Sequence, residues 1–342
     1  MIFMHMADAL ITPIVGGAMW ASTAGVAKYS VNKIQTELDE KKIPLMGVMG
    51  AFVFAAQMIN FTIPATGSSG HIGGGMLLAI LLGPYAGFLT LASVLVIQAL
   101  FFADGGLLAL GCNIINMGFF TCFVAYPLIY KKIMAKEFTS RRLMIASILS
   151  VVIGLQLGSF GVVLQTLISG KSELPFTTFV ALMQPIHLAI GIVEGLITAA
   201  IIAFVWKARP EIITHSLEGK KFTGINLKKT LVVLIIGTLF IGGVVSWFAS
   251  SNPDGLEWAI FNTTGEEEVE GTSWVHEILA GIQEKTAFLP DYSFKGDKEI
   301  PVSEEAGTSF SGVIGGLFTL GLAAFIGMTV SFVKRKRQKK YQ

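Results

Sequence analysis

Residues 70–100 read GHIGGGMLLAILLGPYAGFLTLASVLVIQAL, and the fold turns on the run that precedes the Gly83-Pro84 step. From Ile72 to Leu82 the chain is apolar, but it is shorter than the roughly 20 residues a helix needs to cross a hydrocarbon core comfortably. A proline disfavours the helical region for the residue before it, so the run stops at Gly83, and a second apolar stretch begins at about 85 and continues to 103. Counted as a short helix packed inside a bundle, the first run adds one segment and changes the side on which every later loop lies.

Working outward, apolar stretches fall at 10–28, 45–63, 106–130, 143–168, 185–206, 230–250 and 309–333, which with 72–82 and 85–103 makes nine. Lys and Arg gather in loops on the cytoplasmic side of a membrane. Here four lie in 28–44, five in 131–142, six in 207–229 and six in the tail KRKRQKK, together 21 of the 25. Nine crossings with the amino terminus outside place all four clusters in the cytoplasm. Without the segment at 72–82 the cluster at 131–142 faces the wrong side, so charge supports the short helix independently of hydropathy.

Composition agrees with this reading. At 53% hydrophobic, 14% charged and a mean hydropathy of +0.67, the chain is an all-α polytopic membrane protein by its residues. The net charge of +2 is a sum over two sides and carries little information. The basic residues need no partner beyond the membrane, and nucleic acid is not expected. Residues 1–25 lack the basic region of a signal peptide and are studded with Gly and Pro, so the first helix is read as retained. Cys112 and Cys122, ten apart in one predicted helix, lie roughly 15 Å apart along its axis and are read as small core residues.

The segments divide unequally. Residues 1–206 read as a bundle of seven segments, 207–229 as a polar cytoplasmic linker, and 230–342 as a two-helix module enclosing an outside loop at 251–308. That loop carries 13 Asp or Glu against three Lys. Its SSNPDGLEW and LPDYSF runs favour ordered turns. Its acidity serves equally to concentrate cations or simply to keep an exposed loop soluble.

Polar groups in a membrane bundle are costly and mark functional candidates. His5 and His71 belong to segments far apart in sequence but on one predicted side. Glycines 67, 70, 73, 74 and 75 let backbone pack closely around His71. Met76 and Leu77 follow them, where a phosphate loop would want Lys or Ser/Thr. The remaining polar positions are Gln57, Asn60, Gln98, Asp104, Asn113 and Asn116. Asn113 and Asn116 share a helix face and suit either interhelical hydrogen bonds or support of the imidazoles. His187 and Glu194, seven apart, stand two turns or roughly 10 Å from each other; they cannot share one ion unaided, and a structural polar network is expected of them.

In order along the chain, MHMADALITP, GSSGHIGGGMLLAILLGP, FADGGLLALGCNIINMG and HLAIGIVEGLIT resemble the signature segments of the membrane substrate-capture subunit of energy-coupling-factor transporters for cobalt and nickel, the CbiM/NikM type. The resemblance spans about residues 4–206. Residues 230–342, with NPDGLE and LPDYSF, look like the small two-helix accessory component of these systems, fused here to the capture subunit. The resemblance implies uptake of Co²⁺ or Ni²⁺ as transported substrate, with no organic cofactor. It also implies a separate membrane coupling subunit and two cytoplasmic ATPase subunits as partners.

It further implies metal binding by a terminal amine, the amide and imidazole of the next residue, and a histidine of the glycine-rich loop, which map onto Met4, His5 and His71. Amine and amide nitrogens close a five-membered chelate ring and the imidazole a six-membered one. With one more nitrogen this gives four donors in a plane, which suits Ni²⁺ or Cu²⁺. The amide must lose its proton, so binding should weaken as pH falls. Because Met1-Ile2-Phe3 precede Met4, the working chain is expected to begin at Met4.

Two other classes compete. An ion-coupled secondary carrier or channel needs a midplane site with charged groups, and Glu194 alone is placed deep enough. A membrane metallohydrolase needs an activating pattern such as His-Glu-x-x-His, and none occurs. No Walker A pattern occurs either, so any ATP hydrolysis by that route belongs to another chain.

Overall fold

The computed structural model describes residues 5–37, 40, 42–136, 138–171, 173–222, 227–266, 271, 273–294 and 303–340. Five of its helices are long and apolar enough to cross a membrane: Pro84–Phe101 (α4), Leu110–Met134 (α5), Ser140–Ile168 (α6), Phe176–Ala208 (α7) and Glu305–Lys336 within the last helix. Before α4 come Pro13–Glu37 (α1), Lys42–Gln57 (α2) and Gly75–Leu82 (α3). After α7 come Pro210–Glu218 (α8), Lys228–Gly243 (α9), Gly255–Thr264 (α10), Trp274–Thr286 (α11) and Glu304–Lys340 (α12). Each of the nine expected segments thus contains a helix. Several boundaries move: α1 runs on to residue 37 and α7 starts at 176, with Pro185 inside it.

One element departs from the all-α expectation. The stretch read as the end of the 45–63 segment leaves the helix at Gln57 and forms a short antiparallel hairpin, Phe61–Ile63 (β1) with Ser68–Gly70 (β2), Phe61 opposite Gly70. Pro64 removes a ladder donor and Ala65 takes φ +64°, so the chain turns back there instead of continuing as a helix.

The short helix α3 is buried along its whole length. Gly74 takes φ +74° at its start, where a Cβ would meet Val53 Cγ1 at 2.5 Å. At Gly75 a Cβ would lie 2.3 Å from Thr121 Oγ1 and 2.8 Å from the Met117 carbonyl. Glycine therefore lets α3 touch the backbone of α5, the close approach that helix packing in lipid exploits. Within α5 the span Ile115–Tyr130 is π-helical and holds Pro127, widening the turn that faces α3.

The C-terminal helices are part of the same packed body. Helices α9 and α12 pack on α2 and on each other, with Gly312 against Gly242. At one end Glu40 accepts hydrogen bonds from Ser331 Oγ at 2.8 Å and from Arg335 Nε at 2.6 Å. At the other, the chain between α9 and α12 folds over the hairpin. There Ser250 N donates to Asn60 O (2.7 Å), Ser69 N to Pro253 O (2.7 Å) and Trp258 Nε1 to Thr66 O (2.9 Å).

Candidate functional site

His5 leads into the 3-10 turn Asp8–Leu10, just before α1, and is held by the loop between α4 and α5. Asn113 pins the backbone beside it in both directions, accepting from Met6 N at 3.1 Å and donating to Met6 O at 3.2 Å. Gly106 N donates to the same carbonyl, and Asp8 accepts from Ala109 N at 2.9 Å. The chain start is therefore threaded along the α4–α5 loop. Nothing local in MHMADAL dictates this; its partners lie about a hundred residues away.

The imidazole of His5 is buried, with Nδ1 donating to Asp104 Oδ1 at 2.9 Å. Asp104 is equally buried and its Oδ2 accepts from the Tyr292 hydroxyl at 2.6 Å. Burial works against ionising Asp104, yet the neighbouring His5 imidazole and the two hydrogen bonds outweigh it and hold the carboxyl below its ordinary range. Burial and the adjacent Asp104 push the Tyr292 hydroxyl well up, so it keeps its proton and donates. Among the described residues His5 Nε2 is buried without a hydrogen-bond partner, an arrangement that native interiors rarely leave unexplained.

His71 enters from the other side. Its ring centroid lies 5.2 Å from that of His5, and its Nδ1 is 3.1 Å from the Ile72 carbonyl. Glu194, buried in α7, sets the loop that carries it. The two carboxylate oxygens accept from Gly73 N and Gly74 N, both at 2.9 Å, while Gln57 Nε2 donates to Gly73 O at 2.9 Å.

A cavity of about 110 Å³ lies between these groups, lined among others by His5, His71, Asn113, Asn116, His187 and Asp254. Asp254 belongs to the C-terminal part of the chain, where it caps α10 by accepting from Leu256 N and Glu257 N, both at 2.8 Å. Burial pushes its carboxyl up to about 7. Among the described residues, no three His, Cys, Asp or Glu side chains converge closely enough to hold a metal. Met4 lies outside the described residues.

The expected site residues thus separate. His5, His71 and Asp104 come together. Asn113 holds backbone, not an imidazole, and Asn116 pairs reciprocally with Gln165 at 2.8 and 3.0 Å. The expected network between His187 and Glu194 is not seen: His187 Nδ1 turns to its own helix at Met183 O (2.8 Å), and Glu194 serves the glycine loop. Tyr292 and Asp254 were not expected as site residues. Their motifs, LPDYSF and NPDGLE, read locally as turns and, by resemblance, as marks of an accessory module, because turn chemistry says where a chain bends and not what the bend touches.

Comparison with known proteins gives the family. Residues 5–212 match the family model CbiM, described as "Cobalt uptake substrate-specific transmembrane region", and residues 228–332 match the PDGLE domain. An Archaeoglobus fulgidus protein, whose provisional name is fused nickel transport protein NikMN, is 31% identical over 93% of this chain and 96% of its own. The cobalt transport protein CbiM of Sorangium cellulosum is 30% identical over 61% of this chain and 94% of its own. A crystal structure of a transition metal transporter superposes with a TM-score of 0.54 at 29% identity, covering 63% of this chain and 97% of that one. The chain is a multi-pass membrane protein and belongs to the CbiM family of cobalt uptake transmembrane regions, in the fused form that carries a PDGLE domain behind it.

Proposed function

We propose that this chain is the substrate-binding membrane subunit of an ATP-driven energy-coupling-factor importer, capturing Ni²⁺ or Co²⁺ at the outer face with Met4, His5 and His71. The observation that carries the reading is the pairing of two imidazoles, 5.2 Å apart between ring centres, beside a cavity, with His5 Nε2 lacking a hydrogen-bond partner among the described residues. Among the described residues no three His, Cys, Asp or Glu side chains converge, which favours backbone nitrogens, as a terminal chelate supplies, for the remaining donors. The six-membered chelate ring requires His5 Nδ1, the atom turned to Asp104 in this conformation. Loading therefore requires the imidazole to turn about its Cβ–Cγ bond, presenting Nδ1 to the metal and Nε2–H to the carboxylate. A metal-bound imidazole with its second N–H on a carboxylate is a recurring and stabilising arrangement.

The proposed topology has nine crossings with the amino terminus outside, a capture bundle over 1–206, a linker over 207–229 and an accessory module over 230–342. It puts the four basic clusters in the cytoplasm and the histidines outside. Transport then needs a membrane coupling subunit and two ATPase subunits. The exposed face of α1 available to such a partner carries small residues, Gly17, Ala21 and Gly25 in one row with Ala18, Ser22 and Ala24 beside it, between the larger exposed Ile14 and Tyr29. Small residues are what allow helices to approach closely in lipid.

Equilibrium titration of purified protein with Ni²⁺ tests the capture site. A chain beginning at Met4 is expected to bind tightly and one retaining Met1-Ile2-Phe3 weakly. His71→Ala and His5→Ala should each weaken the Met4 form, and binding should fall as pH is lowered. Equal binding by both chain starts removes the terminal amine from the site.

A further inference from the structure

Tyr292 lies nearly three hundred residues from His5, yet a single carboxylate separates them: Tyr292 Oη to Asp104 Oδ2 is 2.6 Å, and Asp104 Oδ1 to His5 Nδ1 is 2.9 Å. All three side chains are buried. We propose that Tyr292, from the fused C-terminal module, is a positioning residue for metal capture, locking the Asp104 carboxylate in the rotamer that receives an imidazole N–H of His5, from Nδ1 in this conformation and from Nε2 in the loaded one. The inference rests on the capture reading above and assigns the module a part in the metal site.

The surroundings are built around this one hydroxyl. The Tyr292 ring stacks on Phe102, two residues from Asp104, at 5.0 Å and 19° between planes. Ser311 Oγ of α12 donates to the Tyr292 carbonyl at 2.8 Å. Asp291 and Tyr292 take φ +50° and +57°, a left-handed conformation that non-glycine residues seldom adopt and that is retained where surrounding structure imposes it. The module also grips the loop that bears Asp104. Leu289 N donates to Phe101 O (3.2 Å) and Asp291 N to Phe102 O (3.0 Å). Gln283 Nε2 donates to Ala99 O (2.9 Å) and Gly105 O (2.7 Å). From the bundle, Asp104 N donates to Gln98 O at 3.2 Å.

The chemistry follows from counting acceptor sites. An ionised carboxylate offers two oxygens with about four acceptor sites. The tyrosine takes one on Oδ2 and the imidazole one on Oδ1, which together fix the plane of the group. The carboxylate is thereby kept as an acceptor behind the histidine instead of swinging forward as a competing metal ligand. Removing the hydroxyl takes one hydrogen bond from a buried carboxylate oxygen, which is unfavourable. The plane of the carboxylate is then no longer fixed from that side, and the imidazole N–H loses a fixed acceptor. Groups in this position behind a metal ligand change affinity about 10–100-fold when altered.

The test uses the full chain beginning at Met4 with Ni²⁺ as the probe, comparing wild type, His5→Ala, Tyr292→Phe, Asp104→Asn and the Tyr292→Phe/Asp104→Asn pair. Phenylalanine keeps the ring stacked on Phe102, and thermal unfolding of each variant shows whether it remains folded. The expected result is that Tyr292→Phe binds Ni²⁺ about 10-fold or more weakly, with a displaced ligand-field absorption band of the bound ion, and that the pair is no worse than Asp104→Asn alone. A purely structural tyrosine would lower the melting temperature and leave the band in place. If His5→Ala abolishes binding while Tyr292→Phe matches wild type in affinity and band, the positioning role is overturned and the capture reading stands. If His5→Ala binds like wild type, both fall.

Discussion

Asp254 joins two roles at the scale of a single residue, since one carboxylate caps α10 and also lines the cavity beneath it. Burial lifts its carboxyl from an ordinary 3.8 to about 7, against the lowering effect of the Glu257 and Leu256 amides and with help from Asp104. The folded chain therefore holds this proton more tightly than the unfolded chain does. Its contribution to stability is present at low pH and is lost as pH rises from the unfolded value through about 7. Metal-free wild-type protein is expected to lose more melting temperature between about pH 5 and about pH 8 than Asp254→Asn, because asparagine still caps the helix but does not titrate. Parallel pH profiles for the two proteins would discount the burial of this group. The sequence announces such a residue only in part. NPDGLE identifies a turn and a helix start, and the cap follows from it, but the cavity under Asp254 is created by His5 and His71 from elsewhere in the chain.

Among the elements, α3 carries the clearest line from sequence to site. Its apolar run, its Gly-Pro ending and the distribution of Lys and Arg made it legible as a short separate helix, and it is one, Gly75–Leu82. The hairpin before it was not legible. FTI and SSG are three residues each, shorter than any alternation that hydropathy can reveal, and β2 is secured by the Ser69–Pro253 hydrogen bond to a loop some 180 residues away. His71 sits between these two elements, so its placement depends on both. Gly75→Ala is expected to destabilise the protein by about 1–3 kcal/mol, the usual cost of overfilling a packed interior, because the new methyl would face the Thr121 hydroxyl and Met117 carbonyl and neither is the end of a flexible chain. Ni²⁺ affinity should fall with it, since α3 begins four residues after His71. Gly17→Ala in α1, where a Cβ meets no heavy atom within 4 Å, serves as the unhindered control. Equal melting temperatures for the two variants would show that α3 can retreat from α5 without cost.

Taken as a whole molecule, the chain places its two kinds of contact on different sides. The C-terminal module wraps α2, crosses the hairpin and reaches the N-terminal segment through His276 Nε2 and the Ile11 carbonyl, 3.0 Å apart. Much of α1 remains uncovered. That helix presents Gly17, Ala21 and Gly25 outward, and a row of small residues one helical repeat apart is poorly suited to lipid, which larger side chains fill better. It suits a partner helix that must come close. A membrane coupling subunit seated there would leave the cavity beside His5 untouched, because no residue of α1 lines it. Ala21→Leu is therefore expected to leave Ni²⁺ affinity of the isolated chain unchanged. The same substitution should reduce co-purification of the coupling subunit several-fold and, with it, ATP-dependent uptake into proteoliposomes; for an interface driven by packing, one intruding isobutyl group costs on the order of 1–3 kcal/mol. Separate measurement of binding and assembly makes the outcome decisive. Loss of metal binding would mean that α1 supports the site directly, whereas normal assembly and uptake would mean that the partner docks elsewhere and that the small-residue face serves only the folding of this chain.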